Sequence, residues 1–102
     1  MNKRPKIAII SASIRKGRNS HCVALFFRNY LLANNLAEAE ILDLKAYNFP
    51  LFEERLHLLQ EPNKQAIAFG EKVRNSDGII VVTPEYNGGY PASLKNAIDL
   101  LY

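Results

Sequence analysis

Several things are scarce in this chain, and each scarcity excludes a class of protein. Among 102 residues there is one cysteine, Cys22, so no internal disulfide can form and a reducing, cytoplasmic setting is expected. No stretch approaches the roughly 18 apolar residues that a membrane helix needs. The opening Met1-Asn2-Lys3-Arg4-Pro5-Lys6 is basic, but the apolar run after it is too short and too polar at its end to be a secretory signal. There is no internal repeat and no low-complexity segment. Charge of one sign is scarce too: 13 basic and 10 acidic residues leave a net charge of +3. No basic stripe with interleaved aromatics appears, which argues against a nucleic-acid partner. Neither GxGxxG nor GxxxxGK[ST] is present, which argues against a dinucleotide fingerprint and a Walker nucleotide site. His21 and His57 fall in no catalytic spacing motif and are expected at the surface. No catalytic side chain and no metal ligand set is therefore assigned. Cys22 is expected as a small core residue at a helix start.

The remaining composition, 48% hydrophobic and 23% charged, is that of an ordinary globular domain, and the length allows one domain at most. Lys6–Ser11 is a short β-branched run of the kind buried on both faces of a parallel sheet. After a polar loop, Ser20 can cap a helix whose apolar residues Val23, Phe26, Phe27, Tyr30 and Leu31 mark its expected buried face. Asn34-Asn35 suits the helix end, because Asn tolerates the left-handed conformation. Residues 40–44 read as a second strand, and 45–62 as a structured loop with about one helical turn. Residues 63–76 read as a helix with Ile67 and Val73 inward, and 78–83 as the clearest strand. Pro91 suits the first position of a last helix with Leu94, Ile98 and Leu101 as its stripe. Alternating strands and helices imply an α/β fold with a parallel sheet. Ligands bind such sheets at the carboxyl ends of the strands.

Two loops fall at those ends. Ser11–Ser20 joins the first strand to the first helix and contains Ser13, Arg15, Asn19 and Ser20. A helix N-terminus with a fixed positive charge beside it suits a phosphate, although a solvated polar loop would look similar. Thr83–Pro91 carries two glycines, two tyrosines and a proline near each end. Its backbone can lie against a flat heteroaromatic ring; a tight turn that needs Gly and Pro for geometry alone is the alternative.

The first strand followed by Ser13-Ile14-Arg15 and Asn19-Ser20 resembles the start of the NAD(P)H-dependent FMN reductases, which include quinone, azo-dye and chromate reductases. The block Thr83-Pro84-Glu85-Tyr86-Asn87-Gly88-Gly89-Tyr90-Pro91-Ala92-Ser93-Leu94-Lys95-Asn96-Ala97-Ile98-Asp99 resembles that family's signature nearly throughout. The resemblance implies a flavodoxin-like fold, with FMN as cofactor and NADPH or NADH as electron donor. It implies that Ser13, Arg15, Asn19 and Ser20 hold the FMN phosphate, and that Pro84, Glu85, Tyr86, Asn87 and Gly88 line the isoalloxazine ring. Ala12 stands where many members have Gly, and only a slight change in the turn is expected. Residues 47–52 weakly resemble the family's loop after strand two. The small-molecule partner would be a quinone, azo compound or similar acceptor, and a homo-oligomer is expected.

A flavodoxin-like sheet has five strands in the order 2-1-3-4-5, and this chain supplies three, in the expected order 2-1-3. Residues 1–102 are therefore expected to be the N-terminal part of a single flavodoxin-like FMN-binding domain, with the third strand as an exposed edge. The competing expectations are a flavin-binding electron-carrier module without turnover and a self-associating remnant that binds no flavin.

Overall fold

The β-branched runs and helical periods alternate along the chain, and the computed structural model, which describes residues 3–101, follows them. Strands β1 (Lys6–Ser11), β2 (Glu38–Asp43) and β3 (Gly78–Val82) alternate with helices α1 (Ser20–Ala33), α2 (Leu44–Tyr47), α3 (Lys64–Arg74) and α4 (Ala92–Leu100). A 3-10 turn at Leu56–Leu58 interrupts the long connection before α3. The sheet is parallel in the expected order β2-β1-β3, with Ile9 of β1 opposite Ile41 on one side and Ile80 on the other.

β1 is central, and its residues alternate between two cores. Ile7 and Ile9 point to the α1 face, where they meet Ala24, Leu31, Ile80 and Val82. Ala8 and Ile10 point to the opposite face, where they meet Leu42, Phe69, Leu94 and Ala97. This two-sided burial is why Lys6–Ser11 reads as a continuous apolar run rather than an alternating one. Phe69 is the largest fully buried side chain and sits edge-on to both Tyr47 and Phe49.

The helices bury other stripes than the large apolar residues suggest. On α1, Val23, Phe26, Phe27 and Tyr30 are exposed, while Ala24 is fully buried and Leu31 packs against the sheet. On α3, Ile67 is turned out and Ala66 and Phe69 in; on α4, Ile98 and Leu101 are turned out and Leu94, Ala97 and Leu100 in. Each of the three buried stripes includes an alanine, Ala24, Ala66 or Ala97. Cys22 is exposed rather than part of the core, and His21 is half-buried rather than on the surface.

Local chemistry sets the ends. α1 closes in a Schellman motif, with Leu36 N–H donating to Leu31 O and Asn35 N–H to Leu32 O, and Asn35 left-handed at φ 54°. β2 stops at Asp43 because that side chain caps α2, accepting from Lys45 N–H at 3.0 Å. Pro91 is the N-cap of α4 rather than its first helical residue.

Candidate functional site

The carboxyl ends of β1 and β3 are neighbours in the sheet, so the loops that follow them must meet. β1 runs straight into the first loop: Ala12 N–H donates to Val82 O at 3.0 Å and extends the ladder one residue past the strands. Ala12 is fully buried, so a methyl group is accommodated where the turn begins. Ser13 is also buried, and its hydroxyl accepts Arg15 N–H at 3.3 Å and shares a hydrogen bond with the Tyr86 hydroxyl at 3.2 Å. That contact joins the two loops across 73 positions of sequence.

The start of α1 is left open. Ser20 is its first helical residue, and the N-cap Asn19 makes no side-chain capping bond. α3, by contrast, is capped by Asn63, which accepts from Ala66 N–H. Free N–H groups at a helix start carry a partial positive charge and suit an anion. Asn19 and Ser20 stand at that start, and their side chains have no hydrogen-bond partner among the described residues. Arg15 is exposed, and its guanidinium likewise has no partner among them.

The second loop is a hairpin. Tyr86 and Gly89 exchange both backbone hydrogen bonds, at 2.8 and 3.1 Å, across Asn87 at φ 54° and Gly88 at φ 82°. Two successive positive φ values define a type I′ turn, for which Asn-Gly is the preferred pair. Gly88 is therefore required by the turn. Gly89 is not: a Cβ built there would lie an ordinary 3.9 Å from Tyr86 O. The Glu85 carboxylate accepts Gly88 N–H across the turn, and Pro84 is half-buried behind it. An open cleft lies between the loops, lined by Arg15, Glu85, Tyr86 and Asn87. Of the residues expected from sequence, these four face the cleft. Ser13 lies beneath it through Tyr86, Asn19 and Ser20 sit at the helix start, and Pro84 and Gly88 shape the hairpin.

Supporting residues that the motifs did not single out lie around this centre. Arg18 makes a two-pronged ion pair with Asp43 at 2.5 and 2.8 Å and also donates to Ser13 O at 3.0 Å. Hydrogen bonding from Arg18 holds the Asp43 carboxyl below its ordinary range, and the same bond raises the arginine. Ser11 Oγ pairs with His21 Nδ1 at 2.8 Å. Asn96 spans the loop after α2, its side chain accepting Phe52 N–H at 2.7 Å and donating to Pro50 O at 2.9 Å. Burial raises the phenol of Tyr47, which packs against Phe49 and Phe69. Ser93 and Asn96 belong to the signature block, so their presence was visible in the sequence but not their partners.

Flavin mononucleotide has an anionic end and a flat end, and the residues present fit both. The exposed Arg15 guanidinium, on the loop that leads into the uncapped start of α1, stands at one side of the cleft, and the hairpin at the other.

Comparison with known proteins supplies the context. The family model described as NADPH-dependent FMN reductase matches residues 5–102. An NAD(P)H-dependent FMN reductase of Schizosaccharomyces pombe is 36% identical over 96% of this chain and 51% of its own length. One from Saccharomyces cerevisiae is 32% identical over 95% of this chain and 58% of its own. The quinone reductase of Escherichia coli is 31% identical over 99% and 52%. The chain thus spans about half the length of the curated relatives it matches. The fold is similar to that of the flavoenzyme NAD(P)H:(acceptor) oxidoreductase FerB of Paracoccus denitrificans. There the TM-score is 0.75 and the identity 24%, over 94% of this chain and 50% of that one.

Proposed function

The chain belongs to the NADPH-dependent FMN reductase family, and from that premise we propose that its two carboxyl-end loops hold FMN for electron transfer from NADPH or NADH to a quinone, azo or similar acceptor. The observation that carries this reading is the Ser13–Tyr86 contact, which ties the hairpin to the loop that leads into the uncapped start of α1.

In this reading Ser13, Arg15, Asn19 and Ser20 hold the phosphate. Arg15 supplies a guanidinium that can grip it with two parallel hydrogen bonds. Pro84, Glu85, Tyr86, Asn87 and Gly88 form the ring side, largely through backbone groups. When bound, the flavin supplies the redox chemistry, taking up a hydride from the nicotinamide and passing electrons to the acceptor. The chain's own part is to bind, orient and exclude. The type I′ turn fixes the hairpin backbone, and Glu85 holds Gly88 N–H. No side chain is assigned as acid or base.

Self-association belongs to the same proposal, since apolar side chains of α1 and β3 stand exposed on both faces of the sheet.

The test is titration of the purified chain with FMN, followed by quenching of flavin fluorescence. Saturable one-to-one binding in the micromolar range, about −8 kcal/mol, is expected, with NADPH oxidation by a quinone assayed next. Arg15→Ala should weaken FMN binding and leave riboflavin binding nearly unchanged. Equal loss for both would sink the phosphate role of Arg15. Binding without NADPH turnover would favour the electron-carrier reading. Absence of binding would overturn the flavin assignment for this chain.

A further inference from the structure

We propose that Arg18 is a positioning residue of the phosphate loop, one that shapes the anion cradle without touching the anion. The proposal rests on the flavin-phosphate reading above and adds to it a residue outside the expected ligand set.

A cradle made of backbone must present N–H groups to an anion and keep carbonyl oxygens, which repel it, turned away. Two consecutive carbonyls of the β1–α1 loop are held in that way by side chains. Ala12 O accepts the Ser93 hydroxyl at 2.6 Å, and Ser13 O accepts Arg18 Nη1–H at 3.0 Å. The first tie comes from α4 and the second from within the loop.

Arg18 can act as a strut because it is itself fixed. Its two terminal nitrogens grip both Asp43 oxygens, and Asp43 also accepts Lys45 N–H at 3.0 Å. The side chains are 15% and 20% exposed, so the pair is shielded from much of the solvent. One guanidinium thus connects the phosphate loop, the end of β2 and the start of α2. Its charge is already balanced by Asp43, which makes it a poor counterion for a second anion. Arg15, with no partner among the described residues, is the residue left to grip phosphate. The two arginines have different tasks although they stand three residues apart.

The experiment compares FMN and riboflavin affinity, by fluorescence quenching at several salt concentrations, for the wild-type chain, Arg18→Met, Asp43→Asn and Arg15→Ala. Misplacing one charge-assisted hydrogen bond to phosphate is worth roughly a tenfold loss. Arg18→Met is expected to weaken FMN about tenfold and riboflavin less than about twofold, with the salt dependence of FMN binding kept. Arg15→Ala should flatten that salt dependence. Asp43→Asn is the decisive variant, and it serves even where Arg18→Met fails to fold. It frees the positive charge of Arg18 but releases the strut. A positioning role predicts weaker FMN binding; a direct phosphate ligand predicts stronger binding. Stronger binding by Asp43→Asn, a flattened salt dependence in Arg18→Met, or an unchanged ratio of FMN to riboflavin affinity in both variants would each overturn the proposal while leaving the flavin reading standing. A wild-type chain that binds neither flavin would overturn both.

Discussion

At the scale of single residues, two neighbouring glycines separate turn geometry from ligand space. Gly88 holds φ 82° in the hairpin, whereas Gly89 has no left-handed φ, and a methyl group there would find no protein atom closer than 3.9 Å. Gly88→Ala should lower stability by about 1 kcal/mol, the cost of a left-handed side-chain-bearing residue. Gly89→Ala should leave stability unchanged. Urea unfolding of both variants checks this, and an equal cost for the two would contradict the turn assignment. Asp43 offers a pH signature. Its folded carboxyl is held below the ordinary value of about 4 by the hydrogen bonds from Arg18. A depressed folded pKa stabilises above the unfolded value, and that contribution is lost as pH falls through the folded value. Asp43→Asn should therefore cost roughly 1–3 kcal/mol at neutral pH, and the gap from wild type should close as pH falls below about 4. A gap of constant size from pH 7 to 3 would show that the ion pair adds nothing.

At the scale of elements, the strands were legible in the sequence and the helix faces were not. β1 and β3 stand out as short apolar runs rich in β-branched residues, 7–10 and 79–82, although only β1 is covered on both faces; in β3, Ile79 and Val81 are exposed. On the helices the large apolar residues draw the eye, yet Ala24, Ala66 and Ala97 lie on the buried faces. Alanine gives no strong hydrophobic signal, so the stripe it marks does not stand out in the sequence. The Arg18–Asp43 pair was hidden for another reason: its partners lie 25 positions apart on a loop and a strand end, and neither stands in a motif. The cleft residues were readable because the signature block is contiguous. Phe69, which joins α3 to the sheet and to the Tyr47–Phe49 stack, tests the packing of the α3 face. Phe69→Ala should cost about 3–5 kcal/mol, measured by chemical denaturation. Ile67→Ala, at an outward position of the same helix, should cost under about 1 kcal/mol. Similar losses for the two would mean that α3 is turned differently on the sheet.

At the scale of the whole molecule, the two edges of the sheet are built differently, and the difference bears on association. The β2 edge carries Glu38 and Glu40, the latter paired with Lys72 of α3. Charges on an edge strand discourage another strand from adding to it. β3 has no charged residue; among the described residues it pairs with β1 alone, and Ile79 and Val81 are 46% and 45% exposed. On the other face of the sheet, Phe26 stacks on Tyr30 and meets Phe27 edge-on along the outer side of α1, with all three rings partly in solvent. An uncharged edge flanked by apolar surface is the side on which strand addition costs least and buries most. The chain is therefore expected to associate through β3 rather than β2. Sedimentation of the wild-type chain should show a concentration-dependent rise in mass that Val81→Lys removes. A charge reversal at Glu38 should leave it in place. Association abolished by the Glu38 change, or a wild-type chain that stays monomeric throughout, would rule out the β3 edge as the contact.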